Sequence, residues 1–314
     1  MDPVLLAAND GGHVMELLAL APRIAPRDER QWFVPDTQQC RSLLKDERVH
    51  WAKRAPTRDL KAAAANARLA GRLLASRRFR LVASTGSSLA VSTLPVSAAH
   101  GIPSAYIESA TRVTGPSLSG RILHTWPSIK TFSQYSDWGN RGWRHSGSVF
   151  DGFATESDGH VTNIHSVVVS LGTSPRYGFR RLVEQLLTVI PRNARVLWQT
   201  GATDLTGLPV EGNERMSSEA LESAMAQADV VVTHAGVGSA LTALRVGKVP
   251  LLIPRRKVYG EHVDDHQVQL SRVLADRGLA IVSDVNNLDL ASFQRAASLR
   301  SMSIVDDLPT LDLA

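Results

Sequence analysis

Cysteine is almost absent from this chain. Cys40 is the single one in 314 residues, which excludes an internal disulfide framework and any Cys-x-x-Cys pair, and suits a reducing compartment. No apolar run approaches the ~18 residues that span a bilayer. No basic-then-apolar leader precedes the first strand-like run, Val4-Leu5-Leu6-Ala7-Ala8, so no secretory signal is expected. There is no Asp-x-Asp at a strand end and no His/Cys set with zinc spacing, so no bound metal is expected. Nor is there an RRM, KH, zinc-finger or helix-turn-helix pattern, so nucleic acid is not an expected partner.

What is present is a globular composition, 43% hydrophobic and 21% charged, with enough apolar mass for about two domains. Charge is placed unevenly: residues 1–150 hold 20 Lys/Arg against 11 Asp/Glu, and residues 151–314 hold 15 against 19. A basic first half suits an anionic lipid surface or a diphosphate substrate. It is equally what solvated helix faces look like.

Strand-like and helix-like runs alternate through both halves, which predicts an α/β protein of two doubly wound domains facing a cleft. In the first half, strands are expected at Val4–Ala8, Trp32–Val34, Leu81–Ser84 and Ala105–Ile107, and helices at His13–Leu20, Thr57–Ser76 and Leu89–His100. The polar, glycine-containing run from Asp151 to His160 reads as a linker. The boundaries drawn are therefore 1–150, a linker at 151–163, and 164–314. Alternation resumes with strand Ser166–Leu171, helix Phe179–Val189, strand Arg195–Gln199 and helix Ser218–Ala226.

The densest signal lies further on. Asp229-Val230-Val231-Val232 reads as a buried parallel strand that breaks into Thr233-His234-Ala235-Gly236-Val237-Gly238-Ser239 and then a helix. A glycine-rich strand-to-helix turn offers backbone N–H groups and a positive helix end, which suits phosphate. Pro250–Ile253 is a second strand, followed by Pro254-Arg255-Arg256, then Asp264-Asp265-His266-Gln267 opening another helix. Leu171-Gly172-Thr173-Ser174 and Trp198-Gln199-Thr200-Gly201 also end strands, the place where open α/β sheets bind ligands. Gln199 and Thr200 are the better ligand groups there, and Trp198 suits a core. An ordinary βαβ unit accounts for Gly236 as a close-packing residue, but not for the polar cluster Arg255, Arg256, Glu261, His262, Asp265, His266 and Gln267.

This block resembles the donor-binding half of family 28 glycosyltransferases, which implies a GT-B fold of two Rossmann-like domains. The resemblance implies that Gly172, Thr173, Gln199, Thr200, His234, Ala235, Gly236, Gly238 and Ser239 surround a UDP-sugar. It also implies that Asp265, His266 and Gln267 hold donor-sugar hydroxyls. Arg255 and Arg256 are expected either to neutralise the diphosphate by charge-assisted bonds or to form a solvated basic turn. One departure stands out: where the family often has a glutamate on the nucleotide ribose, this chain has Thr242, which offers a single hydroxyl.

In the first half, Asn9-Asp10-Gly11-Gly12-His13 follows the first strand and opens a helix. Such a turn either holds phosphate or simply caps the helix. The family has a Gly-Gly-His loop here, near the acceptor diphosphate and the reacting hydroxyl, which makes Asn9, Gly11 and Gly12 expected acceptor contacts. His13 is the expected general base, with Asp10 and then Glu108 behind it. Thr85-Gly86-Ser87 sits between strand and helix and is either a phosphate cradle or an N-cap. Tyr106-Ile107-Glu108-Ser109-Ala110-Thr111-Arg112 resembles the acceptor-side subunit of the two-part lipid-linked transferase, which makes Arg112 an acceptor contact. An ordinary ion pair accounts for Glu108 and Arg112 almost as well.

The expected activity is inverting transfer from a UDP-sugar to a polyprenyl-diphosphate-linked sugar, with no cofactor besides that co-substrate. The expected location is peripheral, on the cytoplasmic face of the inner membrane. The face Val14, Leu17, Leu18 and Leu20, with Arg23 and Arg27, is the expected anionic-lipid contact, core packing being the alternative. Two other functions stay open: a nucleotide-sugar epimerase of the same fold, and a non-catalytic nucleotide-sugar-binding or membrane scaffold subunit.

Overall fold

A computed structural model describes residues 2–55, 59–138, 142–159, 163–173, 176–304 and 308–313. The chain divides into two compact units, Met1–Val149 with Asp307–Ala314, and Phe150–Asp306.

The first unit has strands β1 (Val4–Ala8), β2 (Arg30–Pro35), β3 (Val49–Ala52), β4 (Leu81–Gly86), β5 (Ser104–Ile107), β6 (Ile129–Ser133) and β7 (Arg144–His145). Its helices are α1 (Gly12–Ile24), α2 (Gln38–Leu43), α3 (Leu60–Ser76), α4 (Ser88–Ala99) and α5 (Leu118–His124). The seven strands form one sheet in the order β3-β2-β1-β4-β5-β6-β7, and every pairing is parallel. Each residue of β1 and β4 is buried, as strands covered on both faces must be, which is why they read as continuous small-apolar runs.

The four strands expected here are all present. β3, β6 and the two-residue β7 were not expected. β3 is short and half-exposed at the sheet edge, and Lys130 and Thr131 interrupt the apolar pattern of β6. Helix α3 begins at Leu60, where the Asp59 carboxylate caps the Ala62 N–H at 2.9 Å; Thr57, in the expected span, lies outside the described residues.

The proposed lipid-facing stripe of α1 is a core stripe. Val14, Leu17 and Leu20 are 0% exposed, with Ala21 and Ile24 continuing the same helical face inward. Burying a leucine contributes roughly 1.5–3 kcal/mol, and a face already used for folding does not also meet lipid. An amphipathic pattern does not by itself say what covers the apolar side.

The second unit has strands β8 (Phe153–Ser157), β9 (Ser166–Ser170), β10 (Arg195–Gln199), β11 (Val230–His234), β12 (Leu251–Ile253), β13 (Ile281–Val282) and β14 (Leu299–Ser303). Its helices are α6 (Arg180–Val189), α7 (Ser218–Gln227), α8 (Val237–Arg245), α9 (His266–Asp276) and α10 (Leu290–Ala297). Five parallel strands run in the order β10-β9-β11-β12-β13. The segment read as a linker is in part a strand: β8 pairs antiparallel with β14, from Leu299 opposite Ser157 to Ser303 opposite Phe153. Local composition signalled turns there but carried no sign of a partner 140 residues away. Residues 160–162 of that segment, and Ser174, lie outside the described residues.

The C-terminal segment returns to the first unit. Leu311 N–H donates to the Arg23 carbonyl at 2.7 Å, Arg23 Nε donates to the Pro309 carbonyl at 3.1 Å, and Leu313 is buried.

Both strand orders reverse direction once. In the first unit the reversal falls between β1 and β4, and in the second between β9 and β11. Open α/β sheets bind ligands at the carboxyl ends of the strands flanking this point, because the two following connections part to opposite faces and leave a crevice. The loops after β1 and β4, and after β9 and β11, therefore define the two candidate sites.

Candidate functional site

In the first unit, β1 runs into Asn9–Gly12 and α1. Gly11 sits at φ 82°, a left-handed value that favours glycine, and its N–H donates to Gln39 Oε1 at 2.8 Å. His13 follows in the first helical turn, where its Nδ1 lies 2.9 Å from the Thr85 carbonyl. A carbonyl only accepts, so Nδ1 carries the proton and Nε2 the lone pair. Thr85 Oγ1 donates back to the His13 carbonyl at 2.8 Å. Burial lowers the His13 pKa, and the Arg112 charge lowers it further against the opposing Thr85 bond and Asp10. The imidazole is thus neutral near pH 7 and can accept a proton at Nε2. Asp10, beside it, is paired with Arg54 at 3.5 Å.

Four expected acceptor contacts serve the scaffold instead. Asn9 is buried, and its Oδ1 accepts from Ser87 N at 3.0 Å and Leu89 N at 2.9 Å. The start of α4 is therefore capped by Asn9 from another loop, so Thr85-Gly86-Ser87 forms no open phosphate cradle with those N–H groups. A Cβ on Gly86 would meet His13 Cε1 at 3.1 Å, which explains why the residue behind the imidazole is glycine. Asn9, Thr85, Gly86 and Ser87 thus hold and orient the His13 turn.

Glu108 is also committed to structure. It is 1% exposed and accepts from Tyr106 OH, Ser109 N, Ser117 N and Ser117 Oγ at 2.8–3.2 Å. With its oxygens engaged by four donors and no open surface, this carboxylate anchors the Ser109–Ser117 loop and is not placed to take a substrate proton. Arg112 lies on that loop, where its N–H closes a turn onto the Ser109 carbonyl at 2.9 Å.

In the second unit, His234 ends β11 at the switch point. Three glycine backbones crowd it and one another. A Cβ on Gly172 would meet His234 Cε1 at 2.6 Å, one on Gly236 would overlap His234 Nε2, and one on Gly201 would overlap the Gly172 carbonyl. Burial, then the nearby Arg255 charge, pushes the His234 pKa down to about 3. It is a neutral imidazole packed under the loop, with Nδ1 3.4 Å from the Ser170 carbonyl, and not a cation for phosphate. Ala235 is fully buried. Gly238 and Ser239 lie in the first turn of α8, whose N-cap Gly236 supplies no side-chain cap, so the first-turn N–H groups point out of the helix end.

Gln199 and Thr200 are buried beside this loop. Thr200 is held by Asn213, whose carbonyl accepts from Thr200 N at 2.9 Å. Thr173, on the first loop, is exposed. The Thr242 hydroxyl donates to the Gly238 carbonyl at 2.9 Å, so its one proton is spent within α8.

Arg255, Arg256 and Gln267 form a second cluster after β12. Arg255 is buried; its guanidinium donates to the Leu171 carbonyl at 2.6 Å, and its N–H donates to Gln267 Oε1 at 3.0 Å. Arg256 is half-exposed, 3.6 Å from Asp284 and 3.9 Å from Asp265. Asp265 Oδ1 accepts from Lys257 N at 2.9 Å. His266 Nδ1 bonds Asp264, and its ring meets His262 edge-on at 4.5 Å. His262 stacks on Tyr177 at 5.3 Å. Ligand atoms of His262, Asp264 and His266 all lie within 4.8 Å of one another, a grouping the spacing rules for zinc did not flag.

These loops have counterparts in known proteins. Residues 166–292 match the glycosyltransferase family 28 C-terminal domain. The match covers under half of the chain and lies wholly within the second unit. The chain is 32% identical over 89 residues to the UDP-N-acetylglucosamine transferase subunit ALG13 of Yarrowia lipolytica, covering 28% of this chain and 42% of that protein. It is 31% identical over 121 residues to the UDP-N-acetylglucosamine–N-acetylmuramyl-(pentapeptide) pyrophosphoryl-undecaprenol N-acetylglucosamine transferase of Verminephrobacter eiseniae, covering 36% of this chain and 33% of that protein. The chain thus spans less than half the length of these curated relatives.

Among solved structures, MurG of Acinetobacter baumannii is similar at a TM-score of 0.57 and 16% identity, over 94% of this chain and 89% of that one. The glycosyltransferase SnogD of Streptomyces nogalater is similar at 0.56 and 15%, over 95% and 94%. At such identities the likeness is one of fold: the chain has the GT-B pair of Rossmann-like domains.

Of the two arginines expected at the diphosphate, Arg255 is buried and only Arg256 is open to solvent. One residue that sequence reasoning passed over stands out. Glu16, three residues after His13 in an otherwise apolar helix face, was not singled out at all; an acid among Val14, Leu17 and Leu20 was the available signal.

Proposed function

We propose that the chain is an inverting glycosyltransferase that moves a sugar from a UDP-sugar to a polyprenyl-diphosphate-linked sugar. The observation that carries this reading is the crowding of Gly172, Gly236 and His234 at the switch point of the family 28 unit, directly before the uncapped start of α8. Backbone approach and a positive helix end are what a nucleotide diphosphate needs. The relatives named above are N-acetylglucosamine transferases, and one is named for a pyrophosphoryl-undecaprenol acceptor, which supports the donor and acceptor classes.

The chemistry is a single displacement. An acceptor hydroxyl gives its proton to His13 Nε2 as its oxygen bonds the anomeric carbon. The bond from that carbon to the UDP oxygen breaks, and UDP leaves with the electron pair. The first turn of α8 and Arg256 stabilise the developing charge, and no cation or further cofactor takes part. Gly11, Gly12 and Arg112 meet the acceptor diphosphate; Asp265, His266 and Gln267 meet the donor sugar.

The lipid acceptor implies work at a membrane. Among the described residues no helix is long and apolar enough to cross one. We place the contact on α5 and the turn after it, where Leu118, Ile122 and Trp126 are 65%, 42% and 42% exposed. They recur at i, i+4 and i+8, one side of a helix, with Arg121 exposed between them. An apolar stripe with a basic neighbour suits an anionic leaflet, and the cytoplasmic face is the one where UDP-sugars are available.

The test is UDP release from a panel of UDP-sugars with and without a short-chain lipid-diphosphate-linked sugar. Acceptor-dependent release supports transfer. Epimerised sugar without acceptor would replace the reading with an epimerase, and UDP binding without turnover would replace it with a binding subunit.

A further inference from the structure

Glu16 is a buried acid on the apolar face of α1, one turn beyond His13. It is 1% exposed. Its Oε1 accepts from Ser109 Oγ at 2.6 Å, and its Oε2 accepts from Ala110 N at 2.9 Å and Gln134 Nε2 at 3.0 Å. Gln134 Nε2 donates to the Glu108 carbonyl at 3.0 Å as well. A carboxyl in such a place opposes folding unless its partners repay the desolvation, and leucine would fill the position at less cost.

We infer that Glu16 is a positioning residue of the acceptor site: it ties the turn Ser109–Arg112, which carries Arg112, to α1, the helix that carries His13 and follows the Gly11–Gly12 turn where the acceptor diphosphate is met. This rests on the acceptor reading above. The turn itself is short. Arg112 N–H closes onto the Ser109 carbonyl at 2.9 Å, and Ser109 Oγ lies 3.0 Å from Thr111 Oγ1 and accepts from Thr111 N at 3.3 Å. Glu108 secures the residue before it through four donors, and Tyr135 OH donates to the Ala110 carbonyl. Glu16 supplies the link from this turn to α1, the helix that carries His13. The Arg112 charge contributes to lowering the His13 pKa, which agrees with a turn that presents its cation toward the expected base. Loss of Glu16 leaves Ala110 N and Ser109 Oγ without their acceptor and lets the turn shift.

Glutamine can replace Glu16 without breaking the arrangement. Its amide oxygen accepts from Ala110 N and Gln134 Nε2, and its NH2 donates to Ser109 Oγ, whose hydroxyl then turns to Thr111 Oγ1. Alanine cannot. The experiment measures, by calorimetry, the Kd of the full chain for a short-chain prenyl-diphosphate-linked N-acetylglucosamine and, separately, for UDP. Glu16→Ala is expected to weaken the lipid-linked sugar about tenfold or more, with UDP unchanged and Glu16→Gln close to the parent. The double variant Glu16→Ala/Arg112→Ala is expected to bind no worse than Arg112→Ala alone, because one residue acts through the other. Should Glu16→Ala not fold, Ser109→Ala, which removes the hydroxyl that Glu16 grips, takes its place. Parent-like binding by Glu16→Ala or Ser109→Ala, or by Arg112→Ala, overturns the inference while the acceptor reading stands. A parent chain that does not bind the lipid-linked sugar overturns that reading and the inference with it.

Discussion

His13 and Thr85 hold each other twice: His13 Nδ1 sits 2.9 Å from the Thr85 carbonyl, and Thr85 Oγ1 donates to the His13 carbonyl at 2.8 Å. The pair joins the first turn of α1 to the end of β4 across the switch point, sets the tautomer, and leaves Nε2 as the basic nitrogen. His13→Ala and His13→Asn are therefore expected to lower kcat about 10²–10⁴-fold at saturating acceptor, with the fold retained. Because burial moves the His13 pKa below 6.5, the base stays available down to lower pH than a free imidazole. The acid limb of the kcat profile should lie below pH 6.5. Near-parental kcat in both variants would reject His13 as the base.

The crowding around His234 makes Gly236 sensitive to a single methyl group. Gly236→Ala forces a Cβ against His234 Nε2, and overpacking of this kind costs about 1–3 kcal/mol. His234→Ala in the same chain should restore much of the thermal stability by opening space. UDP affinity, read by calorimetry, should fall in Gly236→Ala. Tm and UDP Kd both equal to the parent's would show that the loop does not have this packing.

Glu16 gives stability an inverted pH dependence. Its pKa is pushed up to about 7 from 4.5, by burial first and by the Glu108 charge in the same direction. The folded state therefore holds a proton that the unfolded state has lost between pH 4.5 and 7. Stability from this group is full below pH 4.5 and declines as pH rises to about 7. Glu16→Gln removes the cost, so it should be more stable than the parent at pH 8, by on the order of 1–3 kcal/mol in urea unfolding. The gap should close near pH 5. Equal stability at pH 8 would mean that the carboxylate is better solvated than its position implies.

The membrane contact predicts different outcomes for two helices. Leu118→Ser/Ile122→Ser/Trp126→Ser should abolish flotation with anionic liposomes at low salt and leave the melting temperature near the parent's, because these side chains are exposed. Leu17→Ser should unfold the first unit, because Leu17 is core. Undiminished flotation of the triple variant would move the contact elsewhere.

Metal dependence has a direct check. If α8 and Arg256 carry the charge on the leaving UDP, as proposed, a chelator should leave the transfer rate unchanged. If chelation abolishes it and a divalent cation restores it, the grouping of His262, Asp264 and His266 becomes the first place to substitute.

The two-domain α/β architecture, most strands, and the glycine turns at the strand ends were legible in the sequence, for a physical reason. Buried parallel strands must be continuous apolar runs, and a tight, close-packed turn needs glycine. Val230–Val232 with Gly236, and Val167–Val169 with Gly172, announce both locally. What tertiary structure alone decided was which side of an amphipathic or polar segment has a partner. The α1 stripe is core because the sheet lies under it. Residues 153–157 are a strand because Leu299–Ser303 pairs with them. Asn9 caps α4 instead of meeting substrate because β1 and β4 are neighbours. Glu108 and Glu16 are anchors because Ser117, Ser109 and Ala110 fold back onto them. Each of these depends on contacts between residues far apart in the chain, which no local periodicity or motif encodes.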